Sequence, residues 1–166
     1  MIRKLPVNHL TYSTTRSFDA VVAAFETAVG SLEDVGWASI PAAATDVADF
    51  EKRVNAKIGP SDFTRFLTLD HGDWQSFFGL PRKARHYVIG NPLIAITMLR
   101  HDIRVGLNVP VRVYIYRDEA SGTTRFEYDQ PSTLMSGLDN RDVSAAAEKL
   151  DAKLAALAEQ VTGAKA

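Results

Sequence analysis

Asp70, His71 and Asp73 fall within a run of four residues, and two carboxylates beside an imidazole can offer oxygen and nitrogen ligands to a divalent metal. One short cluster still lacks the third or fourth ligand that a distant part of the chain must bring. The plainer reading is that Asp70 or Asp73 caps a helix carrying Trp74 and Phe77, with Gly72 making the turn. No metal site is therefore expected. His101 and Asp102 are a second pair, but neighbours in sequence lie on different sides of a helix and form no dyad by themselves. His101 either ends a helix, where the dipole favours it, or meets Arg112 or Tyr128 in space. Arg112 shares a strand face with Tyr114 and Tyr116, and that face is either solvated or lines a polar pocket, where an arginine can grip a carboxylate or phosphate with two hydrogen bonds. Asn91-Pro92 could open a helix whose N-terminus attracts anions. It lacks the glycine-rich loop and lysine of a nucleotide site, so capping is the better reading.

No nucleophile elbow, His-Glu-x-x-His, dinucleotide fingerprint or P-loop occurs, so no cofactor is expected. The absence of cysteine excludes disulfides, thiolate metal sites and cysteine nucleophiles, and fits a cytoplasmic protein. The formal net charge is −1 and the basic residues are scattered, which argues against a nucleic-acid partner. The first ten residues carry Arg3-Lys4 but also Pro6, Asn8 and His9, and read as no signal peptide. The longest apolar run, Pro92 to Ile96, is far short of the ~20 residues that span a bilayer, so a soluble protein is expected. With 166 residues, 46% hydrophobic and 23% charged, the chain has the size of one globular domain over 1–166. Neither a repeat nor a linker divides it.

The elements that must position these residues can be read from periodicity. Val7 to Thr15 alternates as a strand. Ser17 then precedes Phe18, Val21, Val22, Phe25, Val29 and Leu32, a helical spacing with Ser17 as N-cap and Gly30 near the stop. Gly36 to Ala44 reads as an extended piece broken by Pro41. Thr45 or Asp46 caps a helix carrying Val47, Phe50, Val54 and Ile58, which stops at Gly59-Pro60. Asp62 to Leu69 and Asp73 to Phe78 read as two further helical pieces. Residues 45–80 thus form an aromatic-rich helical insert.

His86 to Ile89 is a short strand, and Asn91-Pro92 starts a helix running to about Ile103. Its Leu93, Ile94, Ile96, Met98 and Leu99 point in several directions, which implies burial on more than one side. His101, Arg104 and Gly106 mark its end. Val109 to Tyr116 and Thr123 to Asp129 alternate strictly around a turn, and form a β-hairpin. Val143, Ala147, Leu150, Leu154, Leu157 and Val161 lie along one seam of a long C-terminal helix closing at Gly163.

Tyr87-Val88-Ile89-Gly90-Asn91-Pro92, the helix after it, the strand Val109 to Tyr116 and the segment Tyr128-Asp129-Gln130-Pro131-Ser132 together resemble a bacterial and archaeal family, domain of unknown function number 302. Gln130 separates Asp129 from Pro131, a departure from that family's aspartate-proline pair. The resemblance covers roughly Val7 to Leu32 and Arg85 to Val161, with the insert between them longer than short family members need. It implies an α+β fold of TBP-like, helix-grip-like arrangement, an antiparallel sheet packed against the long C-terminal helix, and often a homodimer. It implies no activity, so it assigns no catalytic residue.

Three functions remain in view. The first is a small-molecule-binding module, with an apolar cleft between sheet and C-terminal helix, Arg112, His101, Tyr128 and Tyr114 as polar anchors, and Trp74 with Phe78 as lid or wall. The second is an enzyme of general acid–base type using His71 or His101. The third is an interaction protein that dimerises through the hairpin edge or the Leu150-Leu154-Leu157 seam.

Overall fold

Alternating apolar and polar residues build the hairpin at the centre of the sheet. In β5 (Val111–Asp118) Val111, Val113 and Ile115 are buried, and in β6 (Thr123–Asp129) Thr124, Phe126 and Tyr128 are buried. Antiparallel pairing sets Ile115 opposite Phe126 and Tyr114 opposite Glu127, so each strand turns the same face inward. The computed structural model describes residues 2–165. The other elements are β1 (His9–Thr14), α1 (Phe18–Ala28), β2 (Gly30–Ser31), α2 (Ser39–Ala43), α3 (Val47–Asn55), β3 (Thr64–Asp70), α4 (His71–Gln75), β4 (Ala84–Gly90), α5 (Pro92–Leu99), α6 (Pro131–Leu134) and α7 (Arg141–Thr162). The six strands form one sheet in the order β1-β6-β5-β4-β3-β2, antiparallel except where β2 runs parallel to β3. The fold is α+β, as the sequence implies.

Helices α1 and α7 cover the inner face. The expected seam is there: Val143, Ala147, Leu150, Leu154, Leu157 and Val161 of α7 are all buried in one cluster with Phe25, Tyr87, Ile115 and Phe126. Asn140 caps its start by accepting from the amides of Asp142 and Val143, and Gly163 ends it in the left-handed conformation at φ 72°. The Leu150-Leu154-Leu157 seam packs on this chain's own sheet. The seam is core, and β5 and β6 are both interior strands, so the hairpin has no free edge.

A second, smaller cluster unites Leu32, Ile40 and Val54 with Phe50, Ile58, Phe66 and Leu93. It lies under α2 and α3. The chain enters this region where Gly30 and Gly59 cross. A Cβ on Gly30 would stand 1.9 Å from the Lys57 carbonyl oxygen, and one on Gly59 would stand 2.4 Å from the Gly30 nitrogen, so only glycine fits either position.

Several local expectations need correction. Asp62 to Leu69 is largely strand β3, so residues 45–80 are not helical throughout. A register shift between Arg65 and Leu67 breaks the two-residue alternation, and the apolar positions then mimic helical spacing. Gly36 to Ala44 contains helix α2; Pro41 falls in its first turn, where a missing N–H costs nothing. The helix from Pro92 ends at Leu99 rather than Ile103, because Asp102 accepts from the Arg104 amide and starts a separate turn over Ile103–Leu107. Ser17 caps α1, Asn91 caps α5 and Asp46 caps α3, as their types and positions imply.

Candidate functional site

Helix α5 is apolar all round, yet within it only Met98 is fully buried. Ile94 and Leu99 lean on the main core, Leu93 on the smaller one, and Ile96 is 44% exposed. The two clusters therefore meet α5 from different sides without merging. Between them lies an open cleft of about 1110 Å³. Trp37, Phe50 and Phe66 form its wall on the α2–α3 side, and Ile94, Met98, Leu99, Val109, Val111 and Leu150 line it from the main core. The Trp37 ring meets Phe66 edge-on at 5.7 Å and Phe50 at 6.2 Å, while remaining 38% exposed. Such T-shaped contacts are a favoured geometry for aromatic pairs.

Polar groups are sparse here. Asn91 lines the cleft, but its side chain is used on both sides: the oxygen accepts from Leu93 N at 2.8 Å and Nδ2 donates to the Asp62 carbonyl at 2.9 Å. Asp46 is spent capping α3, accepting from Asp49 N at 2.8 Å. Glu51 and Arg100 complete the charged lining.

The residues singled out in the sequence lie elsewhere, and the fold does not bring them together. Arg112 and Tyr114 point from the outer face of the sheet, whereas Tyr128 points from the inner face. Arg112 is exposed, 3.8 Å from Asp129 Oδ2. Tyr128 is buried beside Tyr12, with the hydroxyls 3.4 Å apart; burial, then the Tyr12 hydrogen bond, pushes its pKa well up. His101 Nδ1 stands 3.8 Å from Asp142 Oδ2, beyond hydrogen-bond reach. Trp74 and Phe78 pack edge-on at 6.2 Å at the far side of the sheet, and are no wall of the cleft. Asp70 is the helix cap of the plainer reading, accepting from Gly72 N and Asp73 N. Among the described residues no group of three or more acids and histidines could hold a metal ion.

The outer face does gather rings. His71 lies 5.6 Å from Tyr114 and 5.9 Å from His86, and Tyr114 lies 5.3 Å from Tyr116. Burial lowers the His86 pKa, and His71 and Arg112 lower it further. Tyr116 donates to Glu127 at 2.9 Å, and its own pKa is pushed up to about 12 by burial and that bond. Tyr114 and Tyr116 also border a smaller cleft of about 420 Å³ with Arg82, Arg117 and Glu119.

The inner face carries an ionic network at the β3–β4 end. Glu26 Oε1 accepts from the Tyr87 hydroxyl at 2.8 Å and from Arg85 at 3.0 Å, and lies 3.2 Å from Arg65. Burial opposes the charge of Arg85, but the hydrogen bonds to Asp70 and Tyr87 outweigh it and its pKa rises. Burial of Asp70 is likewise outweighed, here by Arg85 and two amides, and its pKa falls. Glu26 on α1 faces both Arg65 and Arg85 of the sheet, so the network ties α1 to the sheet, although Arg65 Nε is buried without an acceptor.

A two-layer α+β domain with an apolar cleft beside its second core is what fold and site define. The sequence matches the family model described as "Domain of unknown function DUF302" over residues 38–161, and the chain belongs to that family. The matched range takes in residues 45–80. The fold is similar to the crystal structure of an uncharacterised conserved DUF302 protein from Bacillus stearothermophilus, with a TM-score of 0.65 at 15% identity, covering 92% of this chain and 97% of that one. No curated protein matches the sequence. No helix among the described residues is long and apolar enough to cross a membrane.

Proposed function

We propose that the protein binds a small apolar molecule in the cleft between α3 and α5. The observation that carries this reading is the cleft itself: about 1110 Å³ walled by aromatic and aliphatic side chains, with Trp37 and Ile96 still open to solvent. Ligand sites commonly enclose roughly 300–1,000 Å³ with mostly apolar walls and a few polar groups. Leaving this much apolar surface wet forgoes burial worth roughly 25 cal/mol per Å². A ligand recovers that loss. The reading keeps the ligand-binding module suggested by the sequence and moves its site from the sheet–α7 interface to the junction of the two cores.

A neutral apolar fluorophore such as N-phenyl-1-naphthylamine tests it. Saturable enhancement with energy transfer from Trp37, in a Trp74→Phe background that leaves Trp37 as the sole tryptophan, is the expected result. Enhancement that never saturates would count against a defined site.

A further inference from the structure

We infer that the natural ligand is an amphiphile with an anionic head, a carboxylate or phosphate on an apolar body, and that Arg100 holds the head. This rests on the proposed apolar cleft and adds the chemical class of its occupant. Arg100 is the only cationic side chain lining the cleft among the described residues. It follows the last residue of α5, one turn beyond Ile96, and its Nε donates to the Ile96 carbonyl at 3.2 Å. That bond anchors the guanidinium at the end of the apolar surface. The Nη groups have no acidic partner among the described residues; Arg53, Arg85, Arg104 and Arg125 each have one within 2.9 Å, and the other arginines without one, Arg16, Arg82, Arg117 and Arg141, do not line this cleft. A guanidinium with free Nη donors presents the two-pronged geometry that suits carboxylate and phosphate oxygens.

Two acids also line the cleft. Asp46 is turned back onto its own helix as the cap of α3. Glu51 is exposed, and it makes the opposite preference, for a cationic head, the alternative to exclude.

Three probes with one decyl chain separate these cases: decanoate, decanol and decylammonium, each below its micelle concentration, titrated at neutral pH into the Trp74→Phe protein with Trp37 emission as readout. Decanoate is expected to bind about tenfold more tightly than decanol, and decylammonium more weakly than either. Raising the salt should narrow the gap. Arg100→Gln should abolish the preference for decanoate over decanol, costing decanoate much more affinity than decanol. Equal binding of decanoate and decanol overturns the anionic head, as does tightest binding of decylammonium. So does an equal loss for all three probes in Arg100→Gln. If none of the three binds, and the neutral fluorophore does not either, the cleft reading itself fails.

Discussion

Glu26 is the residue on which most hydrogen bonds of the inner ionic network converge, since one of its oxygens serves Tyr87, Arg85 and Arg65. Glu26→Gln keeps the shape but removes the charge that two guanidinium groups face. It should destabilise the fold by about 1–3 kcal/mol in urea unfolding, because partly buried donors lose a charged acceptor. Arg85→Lys should not repair the site, since one ammonium cannot reach both Asp70 and Glu26 in the forked geometry of arginine. The histidines give opposite pH signatures. Asp129 and then Glu127 raise the pKa of His9, against the opposing effect of burial, so its protonated form favours the fold. That stability is fully present below the unfolded value of about 6.5 and is lost as pH rises through the folded pKa. His86, with a lowered pKa, favours the unfolded state as pH falls below about 6.5. His9→Gln should therefore abolish a gain in stability on mild acidification, and His86→Phe should remove a loss; urea midpoints across the pH range read both. Of the residues named from sequence, Asp70, Ser17 and Asn91 show their cap roles plainly because such roles are local. Tyr128 and Arg112 could not be sorted so simply. Each strand's alternation was legible, but their opposite placement depends on the register between strands.

At the scale of elements, the junctions flanking the cleft depend on a few turns. Asn91→Ala removes the cap of α5 and its tie to the Asp62 carbonyl, and should cost about 1 kcal/mol or more in unfolding free energy. Gly59→Ala pushes a methyl into the backbone of Ala28, Val29 and Gly30, so it should unfold or severely loosen the β2–α3 region, visible as lost amide protection there. The hairpin, α1 and α7 were legible because their periodicities run uninterrupted. Strand β3 was not, because the shift at Arg65 and Leu67 gives Phe63, Phe66 and Leu67 a helix-like spacing. The all-round apolar pattern of α5 was legible as a signal and ambiguous in meaning. A helix wet on one side and a helix buried on both sides have the same sequence signature until its neighbours are placed.

At the scale of the molecule, the sheet with α1 and α7 makes one core, α2 and α3 with β3 make a smaller one, and α5 stands between them. The cleft follows from that division and not from any single motif, which is why Trp37, Phe66 and Arg100 carried no recognisable signal in the chain. The outer face, with His71, His86 and Tyr114, is the competing surface for a ligand. Methyl-resolved NMR with decanol as the titrant decides between them directly. Shifts should saturate and fall on Leu93, Ile94, Ile96, Leu99 and Val109 around the cleft, leaving Leu67, Leu69 and Val88 across the sheet unmoved. Shifts confined to Leu67, Leu69 and Val88, or none that saturate, would contradict ligand binding at the junction of the two cores.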